Sequence, residues 1–81
     1  MVERLLGRIV TDPKIMVGKP VIKGTRVPVE LIVKLVANGE TEDKILREYP
    51  QLSKEDIKAA LLYAAKVVGN EEIYPVAPSE A

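Results

Sequence analysis

The chain contains no cysteine, no histidine, no tryptophan and no phenylalanine. Without cysteine there is no disulfide bond and no thiolate nucleophile, which fits a reducing compartment. Because histidine is missing too, the usual structural zinc sites and most acid–base catalytic pairs are excluded. The sequence therefore predicts a protein that is not an enzyme and that uses no metal and no cofactor.

Long apolar segments are also missing. No stretch approaches the roughly 18 residues of a membrane-spanning helix, and residues 1–8 lack the apolar run of a signal peptide. We therefore expect a cytoplasmic protein without a membrane partner. A chain of 81 residues allows one domain, and its core must be aliphatic because its only aromatic residues are three tyrosines. A core of this size is marginal, so we expect a homodimer or higher oligomer.

Charge is balanced overall but unevenly distributed. The formal net charge is zero, yet residues 1–28 carry six basic and two acidic side chains, a balance of +4. Residues 29–81 carry six basic and ten acidic side chains, a balance of −4. This split favours a basic face that meets an anion, and it is equally compatible with head-to-tail self-association.

The residue pattern predicts a mainly α domain at 1–68, with an extended arm before three helices. β-Branched residues between prolines and glycines favour two or three short strands over about 9–27, with a tight reversal at Lys23-Gly24. Helices are predicted at about 28–38, 42–49 and 54–68, the first with Pro28 at its first position and Gly39 as its stop. Residues 69–81 are acidic and are predicted to form a flexible tail.

Capping residues and apolar spacing support the helices. Thr41 and Ser53 are typical N-caps, and Asp56 nearly completes a capping box with Ser53. The first helix is apolar on nearly every side, so we expect another chain to cover part of it. In the last helix, the stripe predicted to face the core is Ile57, Leu61, Ala64 and Val68.

The turn at 50–52 has the length found in DNA-reading helix-turn-helix motifs. In that arrangement the start of the last helix enters the major groove, and the basic arm lies along phosphates or enters a groove itself. A plain three-helix bundle with a charged solvent face, and a hairpin that only pairs subunits, explain the same residues. The candidate DNA-binding residues are Lys19, Lys23, Arg26, Ser53, Lys54 and Lys58. The candidate partner-binding residues, in the tail, are Ile73, Tyr74 and Val76.

The string Gly18-Lys-Pro-Val-Ile-Lys-Gly-Thr-Arg-Val-Pro-Val29 closely resembles the signature of domain of unknown function 433, a family of small bacterial and archaeal proteins. The resemblance continues through Tyr49-Pro50 and Asp56-Ile57 and covers roughly Ile9 to Val68. It implies a homeodomain-like three-helix fold behind a short β segment. It also implies a VapB-type antitoxin that binds a PIN-like ribonuclease toxin and its own double-stranded operator DNA.

Two alternatives stay open at this point. The signature residues lie in the arm rather than in the last helix, so either element is a candidate for DNA contact. Arg26 is compatible with a phosphate contact and with a structural ion pair. The alternative function is a protein-interaction module of the same fold that does not bind DNA.

Overall fold

A computed structural model of the chain describes residues 2–70. Four helices and one antiparallel hairpin follow one another there, in the order α1 (Val2–Leu6), β1 (Ile9–Asp12), β2 (Ile15–Ile22), α2 (Val29–Ala37), α3 (Glu42–Glu48) and α4 (Lys54–Asn70). The mainly α composition and the N-terminal β arm are therefore confirmed, and α1 is added to the three predicted helices. The candidate residues Ile73, Tyr74 and Val76 lie outside the described residues.

The hairpin pairs its outer residues in regular register. Ile9 lies opposite Ile22 and Val10 opposite Val21, and the turn that joins the strands is at 13–14. The register then shifts, and β2 bulges where Val17 and Gly18 both have positive φ angles. Val21 and Ile22, at the end of β2, are almost completely buried and join the arm to the helices.

A second reversal follows β2 at the predicted Lys23-Gly24. The amide of Thr25 donates to the carbonyl of Ile22 at 3.0 Å, and Gly24 has a φ of 81°, as the third position of a type II turn requires. The hydroxyl of Thr25 donates to the same carbonyl at 2.8 Å and accepts the amide of Val27 at 3.0 Å. Gly24 and Thr25 therefore have structural roles in closing this turn.

Helix α2 begins and ends at residues that the sequence marks. Pro28 is its N-cap, with extended backbone angles, rather than its first helical residue as predicted. At the other end, Gly39 has a φ of 85°, and its amide donates to the carbonyl of Val36 while Glu40 donates to Leu35. This pair of bonds is a Schellman motif, so the predicted stop at Gly39 is confirmed.

The two following helices start at their predicted caps. The Thr41 hydroxyl accepts the amide of Lys44 at 3.2 Å. At the start of α4, Ser53 donates its amide to Oδ2 of Asp56 at 2.9 Å, and the amide of Asp56 donates to the Ser53 hydroxyl at 3.3 Å. The predicted capping box is therefore confirmed. The predicted end at residue 68 is two residues too early, since α4 continues through Asn70.

The core lies where α4 packs against α2 and against the end of the arm. Its most deeply buried side chains are Val21, Ile22, Ile32, Ile45, Ala59 and Ala60. Of the predicted stripe, Ile57 is buried, but Leu61 is 38% exposed and Val68 69% exposed. That part of the prediction is wrong, because within residues 2–70 helix α1 covers Leu61 only in part and Val68 is left largely exposed. Within the same residues, no helix has the length and apolarity that crossing a membrane requires.

Candidate nucleic-acid interface

The turn after β2 and the turn before α4 lie side by side. They form the walls of an open cleft of about 500 Å³, to which the first turn contributes Arg26 and the second contributes Gln51. The arm and the start of α4 were predicted separately as candidate DNA-binding elements. The fold places them next to each other, although Gln51 comes 25 positions after Arg26 in the sequence.

An ion pair fixes this arrangement. The guanidinium Nη1 of Arg8, between α1 and β1, lies 3.0 Å from Oδ1 of Asp56, a side chain that is only 10% exposed. The backbone carbonyl of Arg8 accepts the amide of Lys23 at 2.7 Å. Arg8 therefore connects the turn at Lys23 to the first turn of α4. We refer to Lys23, Arg26, Gln51, Ser53 and Lys54 as the basic turn surface.

Three cations of the basic turn surface point into solvent. Lys23, Arg26 and Lys54 are all exposed. None of the carboxylates whose side chains the structure describes lies within 4.0 Å of their charged groups. The structural ion pair considered for Arg26 is thus not found among the described side chains. Because these cations are not neutralised there, their charge is available to a phosphate.

Two of the predicted cations lie elsewhere. Lys19 has its Nζ 2.6 Å from Oε1 of Glu30, beside the start of α2. The hydrogen bond and the charge of Lys19, with a smaller contribution from the charge of Lys34, lower the pKa of Glu30 below its ordinary value. Lys58 lies one helical turn after Lys54 and, with Leu5 of α1, lines a different cleft. Neither cation belongs to the basic turn surface.

The amino terminus of α4 is already occupied by groups of the chain itself. The Ser53 hydroxyl accepts the amide of Asp56, and the Asp56 carboxylate accepts the amide of Ser53. The carboxylate adds negative charge at the point where a phosphate would otherwise meet the helix dipole. Phosphate contact at this surface therefore depends on basic side chains, and Ser53 retains only its hydroxyl proton as a donor.

Two residues of this site, Arg8 and Gln51, were missed by the sequence prediction. Arg8 and Asp56 are 48 positions apart, and no local pattern signals that they pair. Gln51 lies in the turn before α4 and carries neither charge nor a capping role. The excess of basic residues in 1–28 gave the only hint, since Arg8 contributes to it. Within residues 2–70, no cluster of three or more potential metal-ligating side chains is present.

These features define a class: a small, mainly α domain with a β-hairpin arm that presents exposed cations beside the start of its last helix. The family model for "Protein of unknown function (DUF433)" matches residues 9–64, most of the chain. The chain belongs to this family.

The relatives are similar over parts of their length. An uncharacterised protein of Sinorhizobium fredii, y4eO, is 39% identical over 56 residues, which are 69% of this chain but only 25% of that protein. An uncharacterised protein of Archaeoglobus fulgidus is 64% identical over 28 residues, which are 35% of this chain and 78% of that protein. The crystal structure of a DUF433 member from Anabaena variabilis superposes with a TM-score of 0.73 at 31% identity. That match covers 84% of this chain and 67% of the Anabaena protein.

Proposed function

We propose that this protein is a non-enzymatic, antitoxin-like regulator that binds its own operator DNA and a PIN-like ribonuclease toxin. The observation that carries the DNA-binding part is the basic turn surface. The turn that carries Lys23 and Arg26 lies beside the turn that leads into α4 and Lys54, and no described carboxylate lies within 4.0 Å of these three charged groups. Exposed cations grouped in this way are the usual means of attracting a phosphate backbone.

The proposed mode of binding treats α2, α3 and α4 as a homeodomain-like helix-turn-helix. The turn at 50–52 directs the start of α4 into the major groove, where Gln51 and Ser53 reach base edges or phosphates. Arg26 lies beside them, and its guanidinium is suited to a bidentate contact with a phosphate. The arm thus follows the backbone while the helix occupies the groove.

A direct test compares two variants that each lose two positive charges. In Lys23→Gln/Arg26→Gln, both changes fall on the basic turn surface. In the control, Lys44→Gln/Lys66→Gln, they fall elsewhere on exposed positions. The probe is a fluorescently labelled duplex of the region upstream of the gene, read by anisotropy at low salt. We expect the first variant to bind roughly tenfold or more weakly than the parent protein and the control to change less than about threefold.

Equal losses of duplex affinity in the two variants would mean that DNA binding depends only on the overall charge of the protein. Absence of duplex binding by the parent protein at low salt would favour the alternative, a protein-interaction module of the same fold. The control is necessary because both variants lower the net charge of the chain from zero by the same two units, so only the position of the lost charges differs between them.

The toxin-binding part of the proposal rests on the family resemblance. Its candidate residues are Ile73, Tyr74 and Val76, whose apolar side chains suit a partner's surface. The test uses the purified product of the neighbouring reading frame, if that frame encodes a PIN-like nuclease. We expect the full chain to inhibit its ribonuclease activity and Ile73→Asp/Tyr74→Asp to inhibit it less. Undiminished inhibition by that variant would place toxin binding elsewhere.

A further inference from the structure

An apolar groove runs between α2 and α4. Its volume is about 350 Å³, and its apolar lining comes from Val29 and Val33 of α2 and from Tyr63, Ala64, Val67 and Val68 of α4. Val67 is 40% exposed and Val68 69% exposed, so apolar side chains also protrude at its edge. No part of residues 2–70 covers the groove. A continuous apolar surface of this kind marks an interaction site.

The polar residues of the groove carry opposite charges. Glu30 and Lys34 lie four residues apart on α2, and both line the groove and are exposed. Lys19 hydrogen bonds one carboxylate oxygen of Glu30, which leaves the second oxygen for another cation. In a two-fold interface, a contact between one residue of the first copy and a different residue of the second copy is repeated with the copies exchanged. A surface with one acid and one base along its edge is therefore complementary to itself, whereas a surface of a single sign would repel its copy.

We infer that the groove is the interface with a second copy of this chain. Val67 and Val68 of each copy occupy the groove of the other, and Lys34 of each copy faces Glu30 of the other. The chain's formal net charge of zero means that two copies do not repel each other overall. This inference goes beyond the proposed function, because the interface does not include the basic turn surface. The interface also includes Val67 and Val68, which lie outside the residues 9–64 that the family model matches.

The size of the protein gives a physical reason for this interface. A domain of fewer than about 100 residues buries a smaller fraction of its apolar surface than a larger one, so its stability is marginal. Covering the groove and the protruding valines removes further apolar surface from water without lengthening the chain.

The experiment measures the mass of the full chain by size-exclusion chromatography with light scattering, without DNA. We expect twice the mass of 8.9 kDa for the parent protein at micromolar concentration or above. Val68→Glu places a charge in the interface and should give the monomer mass. Two matched controls should remain dimers. Val17→Glu changes a valine that is 94% exposed in the arm, and Leu61→Glu changes an exposed residue that faces α1.

A parent protein that is monomeric at every concentration would overturn the inference, as would a dimer that Val68→Glu leaves intact. Dissociation by Leu61→Glu with no effect of Val68→Glu would place the interface on the α1 side instead. Circular dichroism checks that each variant is folded. The melting temperature gives a second readout: it should rise with concentration in the parent protein and not in Val68→Glu. Monomeric Val68→Glu keeps its basic turn surface, so residual DNA binding separates this test from that of the proposed function.

Discussion

At the scale of single residues, Asp56 has more partners than any other charged side chain described. Its side chain, only 10% exposed, accepts a hydrogen bond from the amide of Ser53 and one from the guanidinium of Arg8. It thus completes the capping box of Ser53 and connects the arm to α4. A carboxylate is required because it accepts from both donors at once.

Replacing Asp56 by alanine tests this role. We expect Asp56→Ala to lower the free energy of unfolding by about 1–3 kcal/mol, since a cap and a partly buried ion pair are lost together. The matched control is Glu55→Ala, an exposed neighbour in the same helical turn, which should change stability by less than about 0.5 kcal/mol. Urea denaturation followed by circular dichroism measures both. Similar values for the two variants would contradict the role of Asp56.

The residues of the signature string divide into structural and exposed ones. Gly24 and Thr25 close the turn, the first by its positive φ and the second by two hydrogen bonds of its hydroxyl. Arg26, next to them, projects into solvent with no described carboxylate nearby. The reversal at this glycine could be predicted because only a few residue types tolerate its backbone angles. The surroundings of Arg26 could not, because they depend on Gln51 and α4.

At the scale of secondary-structure elements, α4 shows how far apolar spacing predicts burial. Ile57 and Leu61 are neighbouring members of the predicted stripe, one helical turn apart, yet Ile57 is 2% exposed and Leu61 is 38% exposed. The buried face instead continues through Ala59 and Ala60, whose small side chains allow close approach of neighbouring elements. Helical periodicity identifies an apolar face, but what covers that face depends on tertiary packing.

This difference gives a prediction about α4. Ile57→Ala should lower the free energy of unfolding by about 2–5 kcal/mol, because it leaves a cavity in the core. Leu61→Ala removes a side chain of the same size from a partly exposed position and should cost less than about 1 kcal/mol. Urea denaturation of both variants provides the comparison. A larger loss of unfolding free energy for Leu61→Ala than for Ile57→Ala would support the original prediction that Leu61 faces the core.

The helix caps were the most predictable features, since each one uses a local pattern. Thr41, Ser53 and Gly39 all act at the helix ends expected of them. Helix α1 was not predicted, because its five residues are fewer than an isolated helix needs and its contact with α4 is long-range. The hairpin turn at 13–14 and the bulge in β2 were missed for a similar reason, as strand register depends on the partner strand.

At the scale of the whole molecule, the fold brings two weak signals together. The turn after β2, which carries Arg26, and the turn before α4 line one cleft, while the apolar groove involves the C-terminal half of α4. Two copies joined at the groove would carry two basic turn surfaces, and six exposed cations would then be available to one duplex. This arrangement would let a chain with no net charge bind DNA appreciably.

The salt dependence of duplex binding by the parent protein tests the claim that the basic turn surface meets phosphates. Anisotropy titrations between about 50 and 200 mM salt give the slope of log K against log salt concentration. With three to six phosphate contacts we predict a slope of about −3 to −5. A slope near zero, or no binding to the upstream duplex at the lowest salt concentration, would contradict the claim.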